Sequence, residues 1–246
     1  MIEQKIQIPT ASGAAEGVLF RPEQRGHWPG VIHYTDIGGI RPAQQQMARQ
    51  IAERGYLVLM PNVFYRTSKL PLFDFPLKFG EERTTKRLAQ LSAPLTSEAI
   101  ASDASDYVDF LARQDSVKPA MMGVVGYCFT GKMALYTAES RSDNIAAAAS
   151  FHGGGLATNA PNSPHLSLTP ILKARLYFGH AMDDRSMPAE AIEKLNQALA
   201  AWGGRYESEV YDGAYHSWTV PDSPVYNQPQ AERAFEKLMT LFAELS

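Results

Sequence analysis

The chain contains one cysteine, Cys128, in the run Met122-Gly-Val-Val-Gly-Tyr-Cys-Phe-Thr-Gly-Lys-Met-Ala-Leu135. A short β-branched apolar stretch meets a helical pattern there, and the thiol stands at the corner. Such a corner is a nucleophile elbow, usually Gly-x-Ser-x-Gly, with cysteine in place of serine. A tight strand-to-helix turn lifts the side chain above the end of a sheet. The helix N-terminus behind it favours a thiolate and offers backbone N–H groups to a developing oxyanion. The chemistry in view is nucleophilic acyl transfer. The pattern departs at one place: the second glycine, expected two residues after the nucleophile, is Thr130, and Gly131 follows one later. A free cysteine is more often a small buried hydrophobe, so the reading turns on its partners.

A cysteine nucleophile needs a base, and the base needs a carboxylate to orient it. Elbow enzymes carry them in the chain order nucleophile, acid, histidine. The run from His180 to Pro188 holds Asp183 and Asp184, and the run from Asp212 to Trp218 holds His216. Both follow predicted strands. Asp184 is chosen over its neighbour because it stands four residues before Pro188, where a helix begins. His216 is chosen among six histidines for its place relative to the acid and the elbow. His27 and His165 are expected at the surface, and His33 and His180 as structural residues. His152, before three glycines, is expected to border the site. The loop Thr35-Asp36-Ile37-Gly38-Gly39 supplies the other half of an oxyanion hole, so its donors are the N–H groups of Ile37 and Phe129. Asp36 is an acid beside the nucleophile, or else a turn cap. There is no His-Glu-x-x-His, cysteine pair, phosphate loop or Rossmann glycine fingerprint. No metal and no cofactor are expected.

These residues must be positioned by alternating strands and helices. A hairpin is predicted over 6–8 and 17–20, and strands over 30–34, 56–60, 122–126, 146–151, 174–179 and 207–211. Helices are predicted over 42–54, 98–114, 129–140, 189–202 and 230–245 from apolar residues near the 3.6 period. The alternation predicts an α/β fold with a mostly parallel central sheet and helices on both faces. Ligands then bind beyond the carboxyl ends of the strands, and every candidate lies just after one. Residues 1–246 read as a single domain. Residues 64–97 hold five aromatics and are too long for a simple loop. They read as a lid or substrate-lining excursion, or as a packed surface excursion with a short helix.

At this point the residues resemble the dienelactone hydrolase family, the cysteine-nucleophile branch of the α/β-hydrolase fold. The resemblance runs from about Gly17 to Ala243. Its carriers are Gly-Tyr-Cys at the elbow, the run from Gly55 to Arg66, Asp-Arg-Ser-Met-Pro at 184–188 and Gly-Ala-Tyr-His-Ser-Trp at 213–218. The resemblance implies a triad of Cys128, His216 and Asp184. It implies that Asp36 touches the cysteine as a thiol-switch acid, where the family has the longer glutamate. It implies that Arg66 binds a substrate carboxylate, and Tyr127, His152 and Trp218 are expected to contact the substrate beside it. A second family arginine is replaced by Val220. The function implied is a cofactor-free hydrolase of carboxylic esters or lactones working through an acyl-thioester.

Composition agrees with that class. A net charge of −3, with no basic block, argues against nucleic acid or an anionic membrane as partner. One cysteine excludes an internal disulfide framework. No apolar run suggests a signal or a membrane span, and a reactive thiol suits the cytoplasm. The expected partner is a small-molecule ester or lactone; oligomeric state is not legible. Two rivals remain on the same fold: a thiol-based redox sensor or ligand-binding protein, and a degenerate enzyme kept as an interaction surface.

Overall fold

The computed structural model describes residues 1–119 and 121–245. Eight strands form one sheet in the order β1-β2-β4-β3-β5-β6-β7-β8. Strands β1 (Ile2–Thr10) and β2 (Gly13–Arg21) pair antiparallel, and β2 pairs antiparallel with β4 (Leu57–Pro61). From β4 onward every pairing is parallel, through β3 (Gly30–Tyr34), β5 (Met122–Tyr127), β6 (Ile145–Phe151), β7 (Arg175–Ala181) and β8 (Tyr206–Tyr211).

Helices cover both faces. One face packs on α1 (Pro42–Glu53) and α6 (Gln228–Phe242), through Met47, Ile51, Leu238 and Leu241. The other packs on α3 (Ser97–Ala112), α4 (Gly131–Ser140) and α5 (Ala189–Trp202), through Tyr107, Leu111, Met133, Leu195 and Leu199. Burial on both sides is why β3, β4 and β5 are buried at every residue and, His33 apart, apolar without alternation. Side chains still alternate between the two cores: Ile32 and Val124 enter one, Val31 and Val125 the other.

Local chemistry sets the helix ends. Thr96 accepts a hydrogen bond from the Ala99 N–H at 3.2 Å and so caps α3. Asn227 does the same for α6, accepting from Gln230 at 3.3 Å. The first hairpin is longer than its apolar residues suggest, because β1 is an edge strand whose polar positions face solvent. The excursion 64–97 contains a helix, α2 (Glu82–Ser92), that buries only Thr84 and Leu91. So polar a helix carries little apolar period to read. None of the described helices is long and apolar enough to cross a membrane.

Candidate active site

The candidates converge beyond the carboxyl ends of the parallel strands. Four non-glycine residues among those described have positive φ: Cys128 (56°), His152 (40°), Asp183 (52°) and Ser217 (79°). They follow β5, β6, β7 and β8 in turn. Left-handed backbone costs side-chain-bearing residues of order 1–3 kcal/mol and gathers at working sites. Four such residues around one point mark that point more sharply than any motif does.

At the elbow, Cys128–Thr130 form one tight 3-10 turn between β5 and α4. The approach leaves no room for side chains where the chain has glycine. A Cβ on Gly126 would lie 2.2 Å from the Thr130 carbonyl oxygen, and one on Gly131 would lie 2.3 Å from Ser150 Oγ. Thr130, the departure from the usual pattern, holds the turn. Its hydroxyl accepts from the Tyr127 N–H at 2.9 Å and donates to the Tyr127 carbonyl at 3.0 Å. The small residue is needed one position later, where the helix crosses β6.

Three side chains form a hydrogen-bonded chain. Cys128 Sγ lies 3.0 Å from His216 Nε2, and His216 Nδ1 lies 2.6 Å from Asp184 Oδ2. The other oxygen, Asp184 Oδ1, accepts from the Ser186 N–H at 2.8 Å and from Ser186 Oγ at 2.6 Å. Asp184 is buried and Asp183 is exposed. The carboxylate is fixed at both oxygens and aims one at the imidazole. Burial by itself pulls the His216 imidazolium down, but hydrogen bonds and charge from Asp184 and Cys128 outweigh it and push His216 up to about 10. Burial raises Asp184, but the bonds from His216 and Ser186 prevail and hold it below the usual carboxylate range.

His152 lies behind this chain and is buried. Its Nδ1 accepts the Cys128 backbone N–H at 3.0 Å, and its Nε2 is 2.8 Å from Thr219 Oγ1. An Nδ1 that accepts carries no proton, so Nε2–H donates to the threonine and the tautomer is settled. Burial, reinforced by nearby His216, pushes its pKa well below the ordinary value and keeps the ring neutral. The Cys128 N–H is thereby committed. The N–H of Phe129 is one of the early helix donors without an intrahelical acceptor. Ile37, in the turn after β3 closed by the Gly39 N–H to Asp36 carbonyl bond of 3.1 Å, borders the same space.

A cleft of about 650 Å³ opens over Cys128, within the usual range for small-molecule sites. The excursion forms one wall of it with Leu72, Phe73, Leu77 and Phe79. Several expected wall residues stand elsewhere. Tyr127 is buried on the opposite face of the sheet, stacked on Phe151 with ring centroids 5.7 Å apart. Trp218 is fully buried against Tyr211 and His152. His152 packs edge-on against His216, Trp218 packs against His152, and neither lines the cleft. His165, expected at the surface, is buried with Nδ1 2.8 Å from Ser163 Oγ. Val220 is a core residue.

The two charged assignments also differ from expectation. Arg66 is bound to the buried Asp103, with Nη2 2.8 Å from Oδ1 and Nη1 on Oδ2. Tyr65 Oη donates to the same carboxylate at 2.8 Å. Arg66 therefore ties the start of the excursion to α3 and has no place in the cleft. Arg66→Ala is expected to cost about 3–5 kcal/mol, because it strands a buried carboxylate. A fall in Tm, with unchanged relative KM for carboxylated and uncharged esters, would show it.

Asp36 lines the cleft, but both its oxygens are occupied. Oδ1 accepts from Arg41 Nη1 at 2.6 Å and from the Gly38 N–H at 2.8 Å, and Oδ2 accepts from Arg41 Nη2 at 2.8 Å. Among the described residues it makes no hydrogen bond to Cys128. The turn-cap alternative describes it better than a thiol switch does. Sequence reasoning missed Arg41, Ser186 and Thr219. Ser186 alone had a local signal, since an aspartate readily hydrogen-bonds the backbone two residues on.

The sequence pattern of the dienelactone hydrolase family matches residues 15–246. A carboxymethylenebutenolidase of Rhodococcus opacus is 28% identical over 199 residues, covering 79% of this chain and 73% of that one. The crystal structure of a dienelactone hydrolase from Anabaena variabilis superposes with a TM-score of 0.69 at 17% identity, covering 99% of this chain and 98% of that one. A dienelactone hydrolase-like promiscuous phosphotriesterase from metagenomic libraries gives 0.79 at 19% identity, with 99% and 98% covered. At these identities the structural likenesses establish the fold, an α/β-hydrolase architecture.

Proposed function

The chain belongs to the dienelactone hydrolase family and is a lactone or ester hydrolase; from that premise we propose that it works through Cys128, His216 and Asp184 and an acyl-thioester intermediate. One observation carries the reading: the unbroken chain from Cys128 Sγ through both imidazole nitrogens to Asp184, at 3.0 and 2.6 Å, at the floor of an open cleft.

With its proton held on His216 Nε2, Cys128 attacks the substrate carbonyl carbon as the thiolate. The carbonyl oxygen becomes an oxyanion held by the N–H groups of Ile37 and Phe129. Each such donor is worth roughly 3 kcal/mol. The C–O bond to the leaving group breaks, and the departing alkoxide takes the proton from His216 Nε2. For a lactone the alcohol stays attached as the far end of the opened ring. Water then enters, gives a proton to the now neutral His216 and adds to the thioester carbonyl. Collapse expels the thiolate and releases the acid. Asp184 keeps the Nδ1–H pointed away from the reacting atoms throughout and stabilises each imidazolium.

The test is intact-protein mass spectrometry after brief mixing with p-nitrophenyl acetate, beside steady-state turnover. The expected result is a transient acetyl adduct on Cys128 together with turnover. Turnover with the adduct on another residue, or unaltered turnover once Cys128 is fully alkylated, would overturn the assignment.

A further inference from the structure

We propose that the cleft takes uncharged, apolar acyl groups and rejects carboxylate-bearing ones, because its one embedded guanidinium is already saturated by two carboxylates and a backbone carbonyl. The inference rests on the ester-hydrolase reading above and narrows its substrate class.

A guanidinium has five N–H donors and no acceptor. Arg41, at the entrance to α1, has committed all five. Nε donates to Asp222 Oδ2 at 2.7 Å. The two on Nη1 go to Asp36 Oδ1 at 2.6 Å and the Gly39 carbonyl at 3.3 Å. The two on Nη2 go to Asp36 Oδ2 at 2.8 Å and Asp222 Oδ1 at 3.0 Å. Binding a substrate carboxylate there would require breaking a fork-shaped ion pair of the strong, bidentate kind. The cluster of one guanidinium and two carboxylates is also net negative, so it repels an incoming anion. Lys78 stands at the rim, mostly exposed and 3.6 Å from Glu81, where solvent screens it. Arg66 is bound to Asp103 outside the cleft.

Apart from Ser217 and Ser223, the uncharged wall around Cys128 is apolar, with Ile37, Ile40, Leu72, Phe73, Leu77 and Phe79 its large side chains. Phe79 is 69% exposed at the mouth, which an apolar chain lying across it would cover. Such a wall repays each buried methylene of an acyl chain with about fourfold in affinity.

The experiment compares two esters matched in length, p-nitrophenyl hexanoate and the mono-p-nitrophenyl ester of adipic acid, in which a carboxylate replaces the terminal methyl. Wild-type protein is expected to favour the hexanoate in kcat/KM by about tenfold or more, the cost of placing like charges together. It should also favour the hexanoate over p-nitrophenyl acetate. Asp222 is half exposed, so Asp222→Ala leaves the fold intact while freeing Nε and one Nη2 donor of Arg41. In that variant the preference is expected to shrink by about tenfold, as a bidentate site for the adipate carboxylate opens. Equal or preferred use of the adipate ester by wild type would overturn the proposal, as would an unchanged ratio in Asp222→Ala. Failure of the hydrolase reading would look different: none of the three esters would turn over or acylate Cys128.

Discussion

Cys128→Ala is expected to lower kcat/KM for p-nitrophenyl acetate by about 10⁴-fold or more, because losing a nucleophile removes the whole covalent path and leaves only binding and oxyanion contacts. The thiol is partly exposed, and truncating it leaves a void open to the cleft rather than a sealed cavity. Circular dichroism and Tm should therefore stay near wild type, which separates lost chemistry from lost folding. Cys128→Ser is the informative companion. It keeps the elbow and the hydrogen-bond partner at His216 Nε2, but the hydroxyl gives up its proton far less readily than a thiol. An intermediate activity is expected, above the alanine variant and well below wild type. Wild-type-like turnover in Cys128→Ala would remove the cysteine from the mechanism.

Asp184→Asn is expected to cost about 10³–10⁴-fold in kcat, and Asp183→Asn less than about twofold, since exposed side chains away from the chemistry change little. The reason lies in Ser186. Its N–H and Oγ both bond Asp184 Oδ1, at 2.8 and 2.6 Å. In the amide the oxygen will occupy that position, because the backbone N–H can only donate. The NH₂ is then turned toward His216 Nδ1, which must accept, and the imidazole proton is driven to Nε2. Nε2 can no longer take the thiol proton. The titration follows the same logic. In wild type His216 stays protonated through neutral pH and loses its proton as pH rises through about 10. The amide removes the support of Asp184 while burial, which disfavours the imidazolium, remains. The His216 titration should therefore move to lower pH, read by NMR of the ring protons or by the pH profile of iodoacetamide alkylation of Cys128. An unmoved titration, or equal losses in both variants, would reassign the acid.

Strand-helix alternation and the parallel sheet were legible because they rest on local periodicity, as in β5 and α5, where apolar residues recur at the spacing their element demands. The elbow was legible for a related reason: glycine and cysteine at a strand-helix corner are local geometry. The loops carrying Asp184 and His216 were found through chain order, which survives without knowledge of distances. Helix α2 was harder to see, since a helix with two buried residues leaves almost no pattern.

What failed were assignments of direction. Tyr127 adjoins Cys128 in the chain and Arg66 opens the excursion that walls the cleft, yet Arg66 is bound to Asp103 and Tyr127 points through the sheet to α1 and α6. Asp36 does border the cleft, but it shares Arg41's guanidinium with Asp222, which comes 181 residues after Arg41. The sequence alone determined the residue types the chemistry needs and the order in which strands deliver them, because periodicity and turn chemistry act over a few residues. Tertiary structure decided which charges cancel, which aromatics are buried and which acid faces the imidazole. Those depend on contacts between segments far apart in the chain, where a rotation of one side chain changes the partner without changing any local pattern.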